Sequence, residues 1–351
     1  MTAVLNNADG SKAALKVRTN SFKAWWLAAR PRTLTGAVAP VLVGGAMAVS
    51  MLHAKTFGVE WHFDFSDPAL FKWLLNILAP FGLCLLFAIL MQIDANFIND
   101  YFDFKKGADR ADRLGPERAC SQGWITPRAM RVGIGIATLL SCLTGLFILL
   151  WHMQLELIIV GLLCVIFCFL YTTRLSYLGW GDLLVVVFFG LAPVVFTCYV
   201  MTNGDWNIPL VIAGLAMGLA TDNLLMVNNY RDRNQDRLSG KRTIVVRIID
   251  KYTERLGNDA GTKKAEQIIR GCYLWIGIFA TILSFISLFL FSLSSIRCPI
   301  MLIYLILHFR AFRQLNTLDG RDLNLLLATT ARNIFLFGLL LAAEIYSPFI
   351  L

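Results

Sequence analysis

The stretch NFINDYFDFKKGAD, Asn96 to Asp109, follows an uncharged run from Trp73 to Ile93. That run is long enough to cross the ~30 Å hydrocarbon core of a bilayer as a helix. It ends in oxygen-bearing side chains, with lysines close behind. A second stretch, VNNYRDRNQDRLSGKRT, Val227 to Thr243, ends another apolar run in the same way. Two such endings raise a question beyond that of where a helix leaves the membrane.

The rest of the chain sets the class. It has 351 residues, is 57% hydrophobic and only 16% charged. Its mean hydropathy is +0.63. Soluble domains are nearer one-quarter charged. The apolar residues come in long runs without strand alternation, which predicts a polytopic all-α helical bundle and excludes a barrel. Nine spans are expected, near 33–52, 74–100, 132–151, 154–173, 181–202, 207–229, 271–295, 298–316 and 323–346. The eighth is the weakest, because Arg310 and Arg313 shorten its apolar core. Residues 1–23 read as a polar tail, and residues 24–351 as a single transmembrane domain. TIVVRIIDKYTERL, Thr243 to Leu256, reads as a helix lying on the inner leaflet. GNDAGTKKAEQ after it reads as a flexible linker.

The net charge of +9 invites a nucleic-acid reading, but its distribution argues for orientation instead. Of the 32 basic residues, 28 fall in the N-terminal segment and the even-numbered loops. Lys and Arg concentrate on the cytoplasmic side, so the N-terminus and both polar stretches are expected there and the C-terminus outside.

On a helix, Asn96, Asn99 and Asp103 share one face, and Asn229, Asp232 and Asp236 repeat the spacing. Asn99-Asp100-Tyr101-x-Asp103 also matches Asn228-Asn229-Tyr230-x-Asp232, a weak internal repeat. Repeats in membrane proteins tend to build their site at the repeat interface. An acid at mid-membrane costs ~3 kcal/mol on insertion scales, so such acids usually face a cavity. Clustered carboxylates repel, and a divalent cation removes the repulsion. Mg²⁺ favours one or two carboxylates completed by water and phosphate oxygens. Lys105, Lys106, Arg110, Arg113 and Arg118 follow the first stretch, and Lys241 and Arg242 the second. They suit a diphosphate and its stabilisation as a leaving group. The bland alternative is that the acids cap helices and the cations only set topology. It explains one motif better than it explains two matched motifs on one face.

Four segments carry a resemblance to a known family: RPRTL (Arg30 to Leu34), NDYFDFKKGADRADRLGPERACSQGWIT after the second span, RLSYLGWGDLLVVVFFG (Arg174 to Gly190) and NNYRDRNQDRLSGKRT. In this order the sequence resembles the UbiA superfamily of intramembrane aromatic prenyltransferases, nearest its menaquinone branch. The resemblance implies a nine-helix fold that transfers a polyprenyl group from an isoprenyl diphosphate to 1,4-dihydroxy-2-naphthoate, with decarboxylation, in a bacterial inner membrane. It implies Asn99, Asp103, Asp232 and Asp236 as Mg²⁺–diphosphate groups, and Arg113, Arg118 and Lys241 as diphosphate contacts. Many relatives carry a third acid at the position of Gly107; here Asp109 follows two residues later, and its substitution for that acid stays open. Tyr171 and Asp182 are candidates near the acceptor. Asn96, Asp100, Asn228 and Asn229 are candidates behind the ligands. Two alternatives stay open: another aromatic acceptor, or a secondary transporter, which would show helices broken at mid-span.

Overall fold

The structure, a computed structural model, describes residues 17–57, 68–107, 113–291 and 300–346. Asp109 lies outside them. Among the described residues the regular structure is all helical. A short α1 (Phe22–Ala29) precedes α2 (Pro31–Phe57), α3 (Pro68–Lys105), α4 (Pro127–His152) and α5 (Glu156–Leu170). After α5 a wide π turn over Tyr171–Leu175 leads to α6 (Gly181–Val186). A second π turn, Val187–Leu191, joins α6 to α7 (Ala192–Met201). Then follow α8 (Ile208–Leu238), α9 (Ile244–Leu256), α10 (Asn258–Phe291), α11 (Met301–Thr317) and α12 (Leu323–Tyr346).

Local chemistry sets the helix starts. Thr126 accepts the Ala129 N–H ahead of Pro127, Asn207 accepts that of Leu210, and Thr243 that of Val246. Each side-chain oxygen satisfies a backbone donor that the helix itself leaves free. The outer faces then invert the soluble pattern. Val132, Ile136, Leu139, Leu143, Phe147 and Leu150 form an exposed stripe along α4. α5 has no fully buried residue. Such surfaces suit lipid, because along the body of these helices the backbone groups are bonded internally. Eight helices among the described residues are long and apolar enough to cross a membrane. The remaining expected span, the eighth, is α11, which has 17 residues. At 1.5 Å per residue it reaches ~26 Å, a little short of a full crossing.

Two expectations change. The segment read as a flexible linker is the first part of α10, which begins at Asn258. Ala, Lys, Glu and Gln are good helix formers there. Gly261 also sits directly under the Tyr252 carbonyl, so α9 and α10 meet in a tight corner. The α9 helix exists, but its apolar face is not open to a leaflet. Val245, Val246 and Ile249 are buried, and Val245 and Ile249 pack with Met226 of α8 and Ala265 and Ile269 of α10.

Small residues let the central helices approach. A Cβ on Gly218 would come 2.5 Å from the Val186 carbonyl oxygen, and one on Gly190 would collide with the Gly218 backbone. Close backbone contact of this kind is how helices associate in lipid, where burial of apolar surface gives no drive. Gly218→Val should therefore part α8 from the α6–α7 segment. We expect a loss of ~1–3 kcal/mol, the usual cost of overpacking, seen as a lower thermal midpoint in detergent. Gly82→Ala, with open space around it, is the control and should leave the midpoint unmoved.

Candidate functional site

A cavity of about 1480 Å³ runs between α2, α3, α4, α5, the α6–α7 segment, α8 and α12. It exceeds the ~300–1,000 Å³ of ordinary ligand pockets. Its deep part is apolar, walled by residues such as Val41, Cys84, Phe87, Ile148, Leu157 and Val200. Its mouth is polar. From Cys84 to Asp103 on α3 is ~28 Å of helix, so the cavity runs nearly the thickness of a bilayer core.

Asn99 and Asp103 line the mouth from α3, and Asn228, Asp232 and Asp236 line it from α8. All four residues proposed as metal ligands thus share one cavity, and the repeat is visible in space. Asn99 and Asp103 match Asn228 and Asp232, and each pair faces the cavity. Their neighbours Asp100 and Asn229 are both buried.

Each oxygen has a definite partner or a definite lack of one. Asn99 Oδ1 accepts from the Thr172 hydroxyl at 2.6 Å, a contact made by the π turn after α5. Asp103 Oδ2 accepts from Arg118 Nη2 at 3.0 Å. Asp232 is gripped by its neighbour Arg231, with Nε to Oδ1 at 2.7 Å and Nη2 to Oδ2 at 2.6 Å. Asp236 pairs loosely with Lys241, at 3.6 Å. Its Oδ2 is buried with no hydrogen-bond partner. Asp236 also lies close enough to Asp232 and Asp103 to feel their charge.

The donor set fits Mg²⁺. It is made of hard oxygens on two helices, with an orphaned carboxylate oxygen among them. Among the described residues no group of three His, Cys, Asp or Glu side chains is placed to hold a metal ion by itself, so Mg²⁺ here would depend on water and phosphate oxygens for the rest of its shell.

Not every candidate stands at the mouth. Asn96 donates to the Ala29 carbonyl at 2.9 Å and to Thr33 Oγ1 at 3.0 Å, so it fastens the α1–α2 junction. The α3 stripe that does face the cavity is Gln92, Ala95, Asn99 and Asp103, a four-residue stagger beside the one expected. Asp100 accepts the Ala119 N–H at 2.9 Å and the Cys120 N–H at 2.8 Å, and so anchors the α3–α4 loop. Lys106 is held by the Thr172 and Thr173 carbonyls, at 3.4 and 2.9 Å, and lies 3.8 Å over the Tyr177 ring. Burial pushes its ammonium below the ordinary lysine range. Asp103 opposes that shift and Lys241 adds to it. Lys106 thus feels the site without lining it. Arg242 is exposed and contributes its backbone N–H to the Tyr177 carbonyl. Arg113, Arg118 and Lys241 do line the mouth. Tyr171 lines it too, and also borders a small pocket of about 10 Å³ with Asp182 and Asn229. That pocket has room for about one water.

Two contributors were not foreseen. Arg231 is 2% exposed and lies inside the site. Its place between Asn228 and Asp232 was the available signal. Asn324 of α12 bonds Arg231 Nη1 at 2.9 Å and the Leu114 carbonyl at 2.9 Å. Nothing in its local sequence marks it.

The protein-family model that matches the chain is that of the UbiA prenyltransferase family, over residues 65–341. The chain is similar to the 1,4-dihydroxy-2-naphthoate octaprenyltransferase of Haemophilus influenzae, 32% identical over 66% of this chain and 71% of the relative. It is 36% identical to the enzyme of the same name from Escherichia coli, over 64% of this chain and 68% of the relative. The solved structure of a UbiA homolog from Archaeoglobus fulgidus, bound to DMAPP and Mg²⁺, aligns with a TM-score of 0.56 over 93% of this chain and 99% of that one. At 15% identity that is a likeness of fold.

Asp100 and Asp103 should separate by experiment. Asp100→Asn weakens a buried acceptor of two N–H groups and should cost ~1–3 kcal/mol of stability. Its rate should keep the wild-type dependence on Mg²⁺ concentration. Asp103→Asn should raise the Mg²⁺ concentration required. A shifted Mg²⁺ requirement in Asp100→Asn would instead place Asp100 among the ligands.

Proposed function

The chain belongs to the UbiA prenyltransferase family, and from that premise we propose that it transfers a polyprenyl group from an isoprenyl diphosphate to 1,4-dihydroxy-2-naphthoate, with loss of CO₂. The observation that carries this reading is one cavity with a cationic and acidic mouth and a long apolar body. That shape takes a diphosphate at one end and an isoprenoid tail along the other. The acceptor assignment rests on the naphthoate octaprenyltransferases to which the chain is similar. Transport is disfavoured, because α3 and α8 run unbroken past their acids.

In this reading Asn99, Asp103, Asp232 and Asp236, joined by Asn228, would hold Mg²⁺, which when bound would neutralise diphosphate charge and ease its departure. Arg113, Arg118 and Lys241 meet the charge that develops on the leaving oxygen as the allylic C–O bond breaks. The electron pair of that bond leaves with the diphosphate. The apolar wall of Phe188, Phe189 and Leu225 keeps water from the allylic carbon. Tyr171 and Tyr177 stand near enough to the mouth to offer a ring face to positive charge. A naphthoate ring carbon supplies the electron pair of the new C–C bond. The pair left by the departing carboxylate restores the aromatic ring, giving the reduced form of a demethylmenaquinone.

We place the N-terminus and the polar mouth in the cytoplasm, with α11 as the eighth of nine crossings and residues 24–351 working as one domain. The 28 basic residues on one side support that orientation. In a cysteine-depleted background, a cysteine at Asn203 should be labelled from outside and one at Asn258 only after the membrane is breached. Labelling of Asn258 in intact cells overturns the orientation.

The reaction is tested with purified protein, dihydroxynaphthoate, a labelled polyprenyl diphosphate and Mg²⁺. Prenylation of 4-hydroxybenzoate in place of the naphthoate would refute the acceptor. Asp103→Asn and Asp232→Asn should each slow the single-turnover rate by roughly 10²–10³-fold, the loss typical of one transition-state contact. The double variant should be little slower than either, because groups that act as a unit are not additive.

A further inference from the structure

Arg231 binds oxygens that the reading above assigns to a metal ion. Its guanidinium occupies both oxygens of Asp232 and, through Nη2 at 2.8 Å, the oxygen of Asn228. Nη1 reaches Asn324. Nearly all its N–H groups are spent on this ring of oxygens. The pair is well enclosed, with Arg231 2% and Asp232 13% exposed. A divalent cation on those same oxygens would meet the guanidinium at close range, where two positive charges repel strongly in a low dielectric.

The guanidinium stands at the edge of the cavity, which Arg231 itself lines. Gly115 of the α3–α4 loop packs against it, and a Cβ there would fall 2.7 Å from Nη2. Asn324 holds both Arg231 and the Leu114 carbonyl next to that glycine. The loop, α12 and the guanidinium are therefore linked at one point.

We propose that Arg231 is the resident counterion of the second acidic motif. It holds Asp232 and Asn228 while the site is empty and is exchanged against the incoming metal–diphosphate. The released guanidinium then turns to a diphosphate oxygen, for which its planar fork is suited. This rests on the prenyltransferase reading of the mouth and adds a positioning residue to it. The physical need is plain. An unpaired carboxylate in this enclosure beside Asp236 would be costly. The exchange also has a consequence for binding order. A bare cation must displace Arg231 with nothing to receive it, whereas a cation arriving with diphosphate brings the guanidinium a new partner. The site should thus favour the complex over the metal alone.

The test uses the full chain in detergent, with Mn²⁺ as the spectroscopic probe for the divalent site. Affinity is read from the free Mn²⁺ signal, with and without inorganic pyrophosphate. Wild type should bind Mn²⁺ alone weakly and Mn²⁺–pyrophosphate much more tightly. In Arg231→Met, Mn²⁺ alone should bind about tenfold tighter and Mn²⁺–pyrophosphate about tenfold weaker, at the lower end of the range for altered metal surroundings. Arg231→Lys keeps the charge but loses the fork, so both affinities should fall between wild type and the Met variant. This variant also carries the test if Arg231→Met does not fold. A purely structural role moves both affinities the same way, and that result overturns the proposal. So does a Lys variant indistinguishable from wild type, which would mean that only charge matters. If wild type binds neither probe, the reading of the mouth as a metal–diphosphate site fails first.

Discussion

Three carboxylates, Asp103, Asp232 and Asp236, are gathered at the end of a low-dielectric cavity, and their mutual repulsion must be cancelled for the helices to stay together. Water does this for surface acids, but these are at least partly removed from it. The structure meets each carboxylate with a cation: Arg118 for Asp103, Arg231 for Asp232 and Lys241 for Asp236. Each comes from a different segment. Arg118 belongs to the α3–α4 loop, Arg231 to α8 itself and Lys241 to the turn that follows. Ion pairing therefore pins two loops to the mouth as well as balancing charge. Asp100 completes the arrangement from below by accepting the two N–H groups that follow Arg118.

A site built this way needs rigid helices behind it and an open space in front. Both follow from side-chain size. At Gly190 and Gly218 the backbones of the α6–α7 segment and α8 touch, which holds the second motif in place from behind. Beyond the mouth the wall is Phe, Ile, Leu, Val and Cys, whose packing leaves a channel unfilled. In a soluble protein so large an apolar void would collapse or stay empty at some cost. In a membrane the same surface is wetted by chains of its own chemistry.

Much of this was legible in the chain. Apolar runs of bilayer length give the helices, and Asn99, Asp103, Asp232 and Asp236 fall on one cavity as their spacing suggested. Helical spacing alone misled at Asn96 and Asn229, because a stripe read as i, i+3, i+7 has a neighbour one step round that is nearly as good. Which one faces the cavity depends on the tilt of α3 and α8, and packing sets that tilt. Asp100 could not be told from Asp103 locally, since its partners are backbone N–H groups of a distant loop. The polar start of α10 was hidden by composition: Gly, Asn and Asp mark turns, yet the Lys, Ala and Glu that follow continue the helix. Asn324 carries no local sign at all, being defined by what α12 is packed beside.

The internal repeat is therefore true of positions and not of chemistry. Asn99 and Asn228 correspond, as do Asp103 and Asp232, and both pairs line the mouth. Their counterions do not correspond. On α3 the cation arrives from a loop, and Thr172 of the π turn supplies the partner of Asn99. On α8 a single guanidinium serves both Asp232 and Asn228. The first half thus depends on the α3–α4 loop being docked, while the second is satisfied within its own helix. Asn324 ties the two together, since it holds Arg231 and the Leu114 carbonyl at once. This amide links the two halves, and the nearness of Asp236 to Asp103 links them again through charge. That gives two motifs far apart in sequence a physical reason to behave as a single site.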